Sequence, residues 1–277
     1  MKLSLLSFPV IPDIMLRRLK FSDLCAAAAD CGLSGLDMMA GEIKLYGAKK
    51  VVAGLRSCGL ELTCLIAHVP MTKYDERRAA KKIDAAAGLA CDCGCRRVMF
   101  VPMGQFEAGR LRPRDKEELF AHYARGFALA AEKCAAAGLE ACVEDTPTCL
   151  LPLSSADECE RLLSAVPGLG LVYDTANMLP AGDDPAAFYA RLRGRTVHAH
   201  LKDAAFADRG QDRCADGRFM HCRAFGEGVV PVKDIYRRLE EDGMPSAAIE
   251  YTSPAGRRDR AAHTAHIKKF TDYLTGK

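Results

Sequence analysis

The stretch Thr196-Val197-His198-Ala199-His200-Leu201-Lys202-Asp203 decides how the rest of the chain is read. Thr196, Val197 and Leu201 favour a strand, and alternation puts Val197, Ala199 and Leu201 on one face. The other face carries Thr196, His198, His200 and Lys202. A polar inner face is out of place in a soluble protein unless it surrounds a site. A lone strand histidine is ordinarily a packed residue. Company separates this stretch from that case, because three other strands end in carboxylates of the same phase.

Outward from this strand one punctuation mark recurs, a helical stretch that ends in Gly with an apolar strand directly after it. The joints are Gly32-Leu33, Gly59-Leu60, Gly94-Cys95, Gly138-Leu139, Gly168-Leu169, Gly194-Arg195 and Gly243-Met244. Gly just past a helix adopts the left-handed conformation that caps the last carbonyls. With the opening strand these joints give eight βα units. The expected strands are 2–8, 33–38, 61–69, 97–101, 139–144, 170–174, 196–201 and 247–250.

Helix signals fill the intervals. Ser22 precedes a run with Leu24, Ala27, Ala28 and Cys31 on one face. Asp75 opens a helix striped by Ala79, Ile83, Ala86 and Ala90, and Asp115 opens one striped by Leu119, Tyr123, Phe127 and Ala130. Ser155 and Glu158 form a capping box, Asp184-Pro185 puts Pro in a first helical turn, and a last helix starts near Asp259. Alternating strands and helices mean a parallel sheet. Eight units in 277 residues favour one closed (β/α)8 barrel, a TIM barrel, over residues 1–277. No G-x-G-x-x-G follows the first strand, which argues against dinucleotide binding. The long connection from Ala204 to Val232 should cover the top of the barrel.

Composition narrows the classes. A net charge of +3 gives no argument for nucleic acid or a membrane surface as partner, and no segment has the length of an apolar span. Thirteen cysteines scattered through helical and strand patterns suit a reducing cytoplasm rather than a disulfide framework. Cys91, Cys93 and Cys95 lack the usual metal-ligand spacing and read as ordinary small residues. The N-terminus reads as a first strand, not a signal peptide.

In such a barrel the site lies at the carboxyl ends of the strands. Those ends carry Glu144, Asp174, His200 and Glu250, with Val143, Leu171, Tyr173, Leu201 and Ile249 in the opposite phase. Three converging carboxylates repel unless a cation resolves them. Oxygen donors with one imidazole suit Mn²⁺, Mg²⁺, Co²⁺ or Zn²⁺; composition does not choose among them, and Mn²⁺ is the first expectation.

The set Val143-Glu144-Asp145-Thr146, Tyr173-Asp174-Thr175-Ala176-Asn177, His198 to Asp203, Gly226-Glu227-Gly228 and Ile249-Glu250 resembles the sugar isomerase/epimerase family with a xylose-isomerase-like barrel. The match is concentrated in residues 140–252. The resemblance implies that Glu144, Asp174, His200 and Glu250 bind one divalent metal. It also implies that Glu144 and Glu250 act as acid and base on opposite faces of a keto sugar, free or phosphorylated. Proton removal beside a carbonyl leaves an enediolate that a metal stabilises. Return to the other face is epimerisation, return to the neighbouring carbon is isomerisation, and loss of a β-hydroxyl is dehydration.

Weaker candidates surround this set. Asn177 stands where many epimerases of the family carry a substrate-touching His, a departure from the close ketose 3-epimerase pattern. Lys202 has two readings, a grip on a substrate oxygen or phosphate and a salt bridge to Asp203 or to a carboxylate near the metal. Arg223 and Glu227 are substrate-contact candidates in the loop before Gly228, and His198 reads as packed or behind the ligands. His68 is similar in place to a ligand in the related endonuclease IV family, whose other histidines are mostly missing: strand 4 ends Val101-Pro102-Met103. The expected activity is therefore isomerisation or epimerisation. A lyase of the inosose dehydratase type, or one acting on oxidised glycosides, is the rival, with a DNA-repair nuclease or a sugar-binding protein without turnover behind it. Family members often form dimers or tetramers, and no interface is legible in the sequence.

Overall fold

The computed structural model describes residues 1–72, 75–102, 115–210, 212–250, 254 and 256–276. Eight parallel strands close into a barrel: β1 (Lys2–Leu6), β2 (Gly35–Met39), β3 (Glu61–His68), β4 (Arg97–Val101), β5 (Glu140–Glu144), β6 (Leu169–Asp174), β7 (Thr196–Leu201) and, last in the chain, β11 (Ser246–Ile249). β1 closes the ring by pairing with both β2 and β11. The helices are α1 (Ile11–Met15), α2 (Phe21–Asp30), α3 (Ala40–Tyr46), α4 (Ala48–Ser57), α5 (Glu76–Cys93), α6 (Lys116–Ala136), α7 (Ala156–Ala165), α8 (Pro185–Leu192), α9 (Val232–Glu241) and α10 (Arg260–Thr275). No helix among the described residues is long and apolar enough to cross a membrane.

The expected punctuation forms where the local chemistry allows it. Gly94 is left-handed (φ 69°) at the end of α5, and its N–H returns to the carbonyls of Ala90 and Cys91. Gly168 and Gly194 take no positive φ. The first follows Pro167 beyond an α7 that ends at an extended Val166, and the second lies in a 3-10 turn. Helix α2 starts before Ser22: the Asp23 carboxylate accepts from Lys20 N, so Lys20 is the cap. Ser155 caps α7, but the Glu158 carboxylate accepts from Ser154 N rather than from Ser155. The first strand ends at Leu6 because a 3-10 turn around Pro9 takes over.

Two apolar layers separate inside from outside. The larger lies between strands and helices and includes Val143, Leu171, Tyr173, Leu201 and Ile249, the phase expected of them. A small cluster of Leu6, Cys64, Ile66, Met99, Cys142 and Val172 fills part of the barrel interior. Val197 breaks the alternation expected of β7. The register against β6 shifts between Leu171 and Val172, so Val197 is an extra residue and packs against the interior cluster instead of the helices.

The connection after β7 is not a plain loop. It holds an antiparallel ribbon of β8 (Asp203–Ala207), β9 (Asp212–Arg213) and β10 (Phe219–Arg223) that continues directly from the carboxyl end of β7. Asp203 pins the return of this ribbon. Its carboxylate accepts from the backbone N–H of Gly226 (2.9 Å), Gly228 (3.0 Å) and Val230 (3.1 Å). Gly228 has to be Gly here, since a Cβ would lie 2.1 Å from Asp203 Oδ1 and 2.3 Å from the Ala204 carbonyl.

Candidate metal centre

Adjacent strands deliver the four donors. Glu144 ends β5, Asp174 ends β6, His200 is the fifth residue of β7, and Glu250 follows β11. Inward-facing Cys142, Val172 and His198 lie one alternation below the first three, which turns the ends of these strands toward the barrel axis. The ligand atoms of Glu144, Asp174, His200 and Glu250 all lie within 4.8 Å of one another.

Burial divides this group in two. Asp174 and His200 are buried at 0% and 1% side-chain exposure, whereas Glu144 and Glu250 each keep 22%. His200 Nδ1 lies 2.5 Å from Glu144 Oε1. The Lys202 ammonium reaches Glu250 Oε1 at 3.2 Å and Asp174 Oδ2 at 3.5 Å. Asp174 Oδ1 accepts from the N–H groups of Ala176 and Asn177, while Oδ2 is buried with no hydrogen-bond partner among the described residues.

The electrostatics follow from that packing. Burial pushes the Asp174 carboxyl up to about 8; Lys202 opposes the rise, and the charges of Glu250 and Glu144 add to it. Glu250 goes the other way, because Lys202 and His200 outweigh its burial. For His200 burial favours the neutral ring, yet Glu144 and Asp37 raise its value well above the ordinary one. A divalent cation fits these residues: three carboxylates and an imidazole converge, and the oxygen of Asp174 that faces them lacks a donor.

A model of one protein family, the xylose isomerase-like TIM barrel, matches residues 25–270. The chain belongs to that family. Among solved structures it is similar to the probable 3-DHS dehydratase AsbF of petrobactin synthesis from Bacillus anthracis (TM-score 0.76, 18% identity, 99% of both chains). It is also similar to D-psicose 3-epimerase from Clostridium cellulolyticum H10 (0.75, 14% identity, 100% of this chain and 99% of that one). The third is the IolI protein with a bound zinc atom (0.75, 13% identity, 100% and 98%). At these identities the likeness is one of fold. No curated protein matches the chain in sequence.

Within this xylose isomerase-like barrel the weaker candidates separate. Lys202 is buried among the donors, and its partners are Asp174, Glu250 and Asn177 rather than Asp203. The Asn177 amide oxygen accepts from Lys202 Nζ at 2.9 Å, and its NH2 donates to the Asp145 carbonyl at 2.9 Å. That leaves Asn177 one N–H for anything else. Arg223 at the end of β10 and Glu227 in the pinned turn are exposed on the ribbon, and no ion pair or side-chain hydrogen bond joins either to the four donors. His68 is exposed at the end of β3, beside an apolar groove of about 680 Å³ lined by Phe8, Met15, Met39, Leu45 and Ile66. Met103 lies outside the described residues. Cys95 is buried with its thiol toward the Arg97 carbonyl, whereas Cys91 is exposed.

Two carboxylates escaped the sequence reading. Asp145 is buried and accepts from Asp174 N; burial and the neighbouring Asp174 charge raise its value well above normal. Asp37, on β2, is wholly buried beneath His200 and lies close to both His198 and His200. The strand-end rule overlooks Asp37 because it sits in mid-strand. The only signal was an acid in the apolar run Gly35-Leu36-Asp37-Met38-Met39.

Proposed function

We propose that this chain is a divalent-metal-dependent isomerase or epimerase of a small keto sugar or sugar phosphate. The observation that carries this reading is the division within the donor set, with Asp174 and His200 buried and Glu144 and Glu250 partly open. β5 and β11 lie on either side of β6 and β7, so the two open carboxylates flank the buried pair. That is the disposition a proton shuttle between two faces of a substrate requires.

Glu144, Asp174, His200 and Glu250 would hold the ion, with Mn²⁺ expected first and Mg²⁺, Co²⁺ or Zn²⁺ compatible with the same donors. When bound, the ion supplies Lewis-acid stabilisation of the oxyanion that develops as the proton leaves. Glu250, kept ionised by Lys202, is the better initial base, and Glu144 stands on the opposite face. Lys202 would hold a substrate oxygen against this pair.

A lyase is the second reading, and Lys202 favours it. An ammonium 3.2 Å from Glu250 could protonate a departing β-hydroxyl after the same first step. Incubation in D₂O with ketoses, ketose phosphates and keto-inositols separates the two. Deuterium entering one carbon, with a stereocentre inverted or the carbonyl moved, is the expected result. Loss of water means dehydration. No exchange with any compound, together with cleavage of an abasic-site duplex, would defeat the proton-transfer reading.

A further inference from the structure

Beneath the four donors a file of polar side chains runs down the barrel interior. His200 Nε2 is buried, has no other hydrogen-bond partner among the described residues, and lies 3.4 Å from Asp37 Oδ2. Asp37 accepts from Ser4 Oγ on Oδ1 (2.9 Å) and from His198 Nε2 on Oδ2 (2.7 Å). The other nitrogen of His198 meets Ser246 Oγ at 2.7 Å, and Ser246 Oγ accepts from Arg97 Nη1 at 3.0 Å. Arg97 is held in turn by Glu140 at 2.7 Å and borders a cavity of about 570 Å³ at the amino end of the barrel. The register of β2 against β3 shifts between Leu36 and Asp37, the kind of irregularity that re-aims a side chain.

We infer that Asp37, backed by His198, Ser246 and Arg97, is a positioning residue that sets the tautomer of His200 for the metal. The inference rests on the metal-dependent reading above. A carboxylate offers only acceptors, so His198 must point an N–H at Asp37, and the same oxygen favours an N–H on His200 Nε2. With an ion bound, the proton would sit on Nε2 and leave the lone pair of Nδ1 for the ion; without one, Nδ1 lies 2.5 Å from the Glu144 carboxylate and carries a proton as well. Ser4 and His198 fix the carboxylate from two sides, so Asp37 cannot turn away without leaving a buried charge unpaired. Removing the partner behind a ligating His typically weakens metal binding about 10–100-fold.

Asp37→Leu tests this with little change of volume, because it removes the one oxygen that both rings face, whereas an Asn could keep its carbonyl there and turn its NH2 to Ser4. Three measurements are needed: Mn²⁺ affinity by chelator competition, metal-free melting temperature, and the His200 tautomer from long-range imidazole ¹H–¹⁵N correlations in the Zn²⁺-loaded protein. Wild type should show the Nε2–H form. Asp37→Leu should lose roughly 10–100-fold in affinity. Should Asp37→Leu not fold, Ser246→Ala, at the far end of the file, should lose between about two- and tenfold, the scale of one hydrogen bond.

An Nδ1–H tautomer in wild type overturns the inference. So does an unchanged affinity in both variants, or a loss no larger than the drop in folded fraction accounts for. Two ions per chain, one of them lost in His198→Gln, also overturn it, because Asp37, His198 and His200 would then be ligands themselves. If wild type binds no divalent ion, the metal reading fails; an Nε2–H that is present in metal-free wild type and lost in Asp37→Leu then keeps the role of Asp37, and its absence in wild type overturns it.

Discussion

Asp174 carries a load that the other carboxylates of the cluster share less. It is fully buried and two acids face it, against which stand Lys202 and the N–H groups of Ala176 and Asn177. A carboxyl raised in this way keeps a proton in the folded state that the unfolded chain has released, so stability falls as pH climbs toward the folded value. For Asp174 that window closes near pH 8. The metal-free protein should therefore lose more stability between pH 7 and 8 than Asp174→Asn, in which Asp145 and His200 still contribute a slope of the same sign. His198 and His263, whose values are lowered by burial, are neutral across that interval and do not confuse the sign. Denaturant midpoints of the two proteins at both pH values decide it, and parallel behaviour refutes the assignment. At the same scale, Glu144→Gln and Glu250→Gln keep an oxygen for the ion but remove the base. Each should cost at least roughly a hundredfold in turnover while metal is partly retained. Activity within a fewfold of wild type removes that residue from the shuttle.

The elements were legible because their signals are local. β4 and β7 run over the same residues read from sequence, and the stripes of α5 and α6 face the core as their spacing demands. Departures arise where a neighbour overrides alternation. Val197 turns inward because β7 has one residue more than β6 across the bulge, and a single strand's pattern cannot reveal a partner's register. The ribbon of β8 to β10 was read as a covering loop, since β9 has two residues and β8 is mostly Ala, which gives no clean alternation. The Gly-Glu-Gly turn at its base is held by Asp203. Gly228→Ala should cost about 1–3 kcal/mol, because the clash is with backbone and a fixed carboxylate that cannot move aside. A melting temperature within one degree of wild type would show that the turn tolerates displacement.

At the scale of the whole molecule the carboxyl-end mouth of the barrel is polar along one arc and more apolar along the other. β5, β6, β7 and β11 supply the donors, while Phe8, Met39 and Ile66 line the groove above β1 to β3. Strand-end reading found the donors because the fold converts position at a strand terminus into position in space. It could not find Asp37, which meets the ring of His198 from 161 residues away in the chain. One divalent ion per chain is expected by elemental analysis. Saturating Mn²⁺ at about a hundredfold over its dissociation constant should stabilise the fold by about 2.7 kcal/mol, and chelation should remove that gain. A chelator-insensitive melting curve would count against a site built from four converging donors.

The staple at Asp203 has a consequence in time as well as in space. Glu227 and Val229 lie at the surface, where amides ordinarily exchange with solvent almost freely. Yet the N–H groups of Gly226, Gly228 and Val230 end on a carboxylate that is itself 1% exposed. In D₂O these three amides should exchange as slowly as those of the barrel strands, and the Asp203→Ala variant should release all three together.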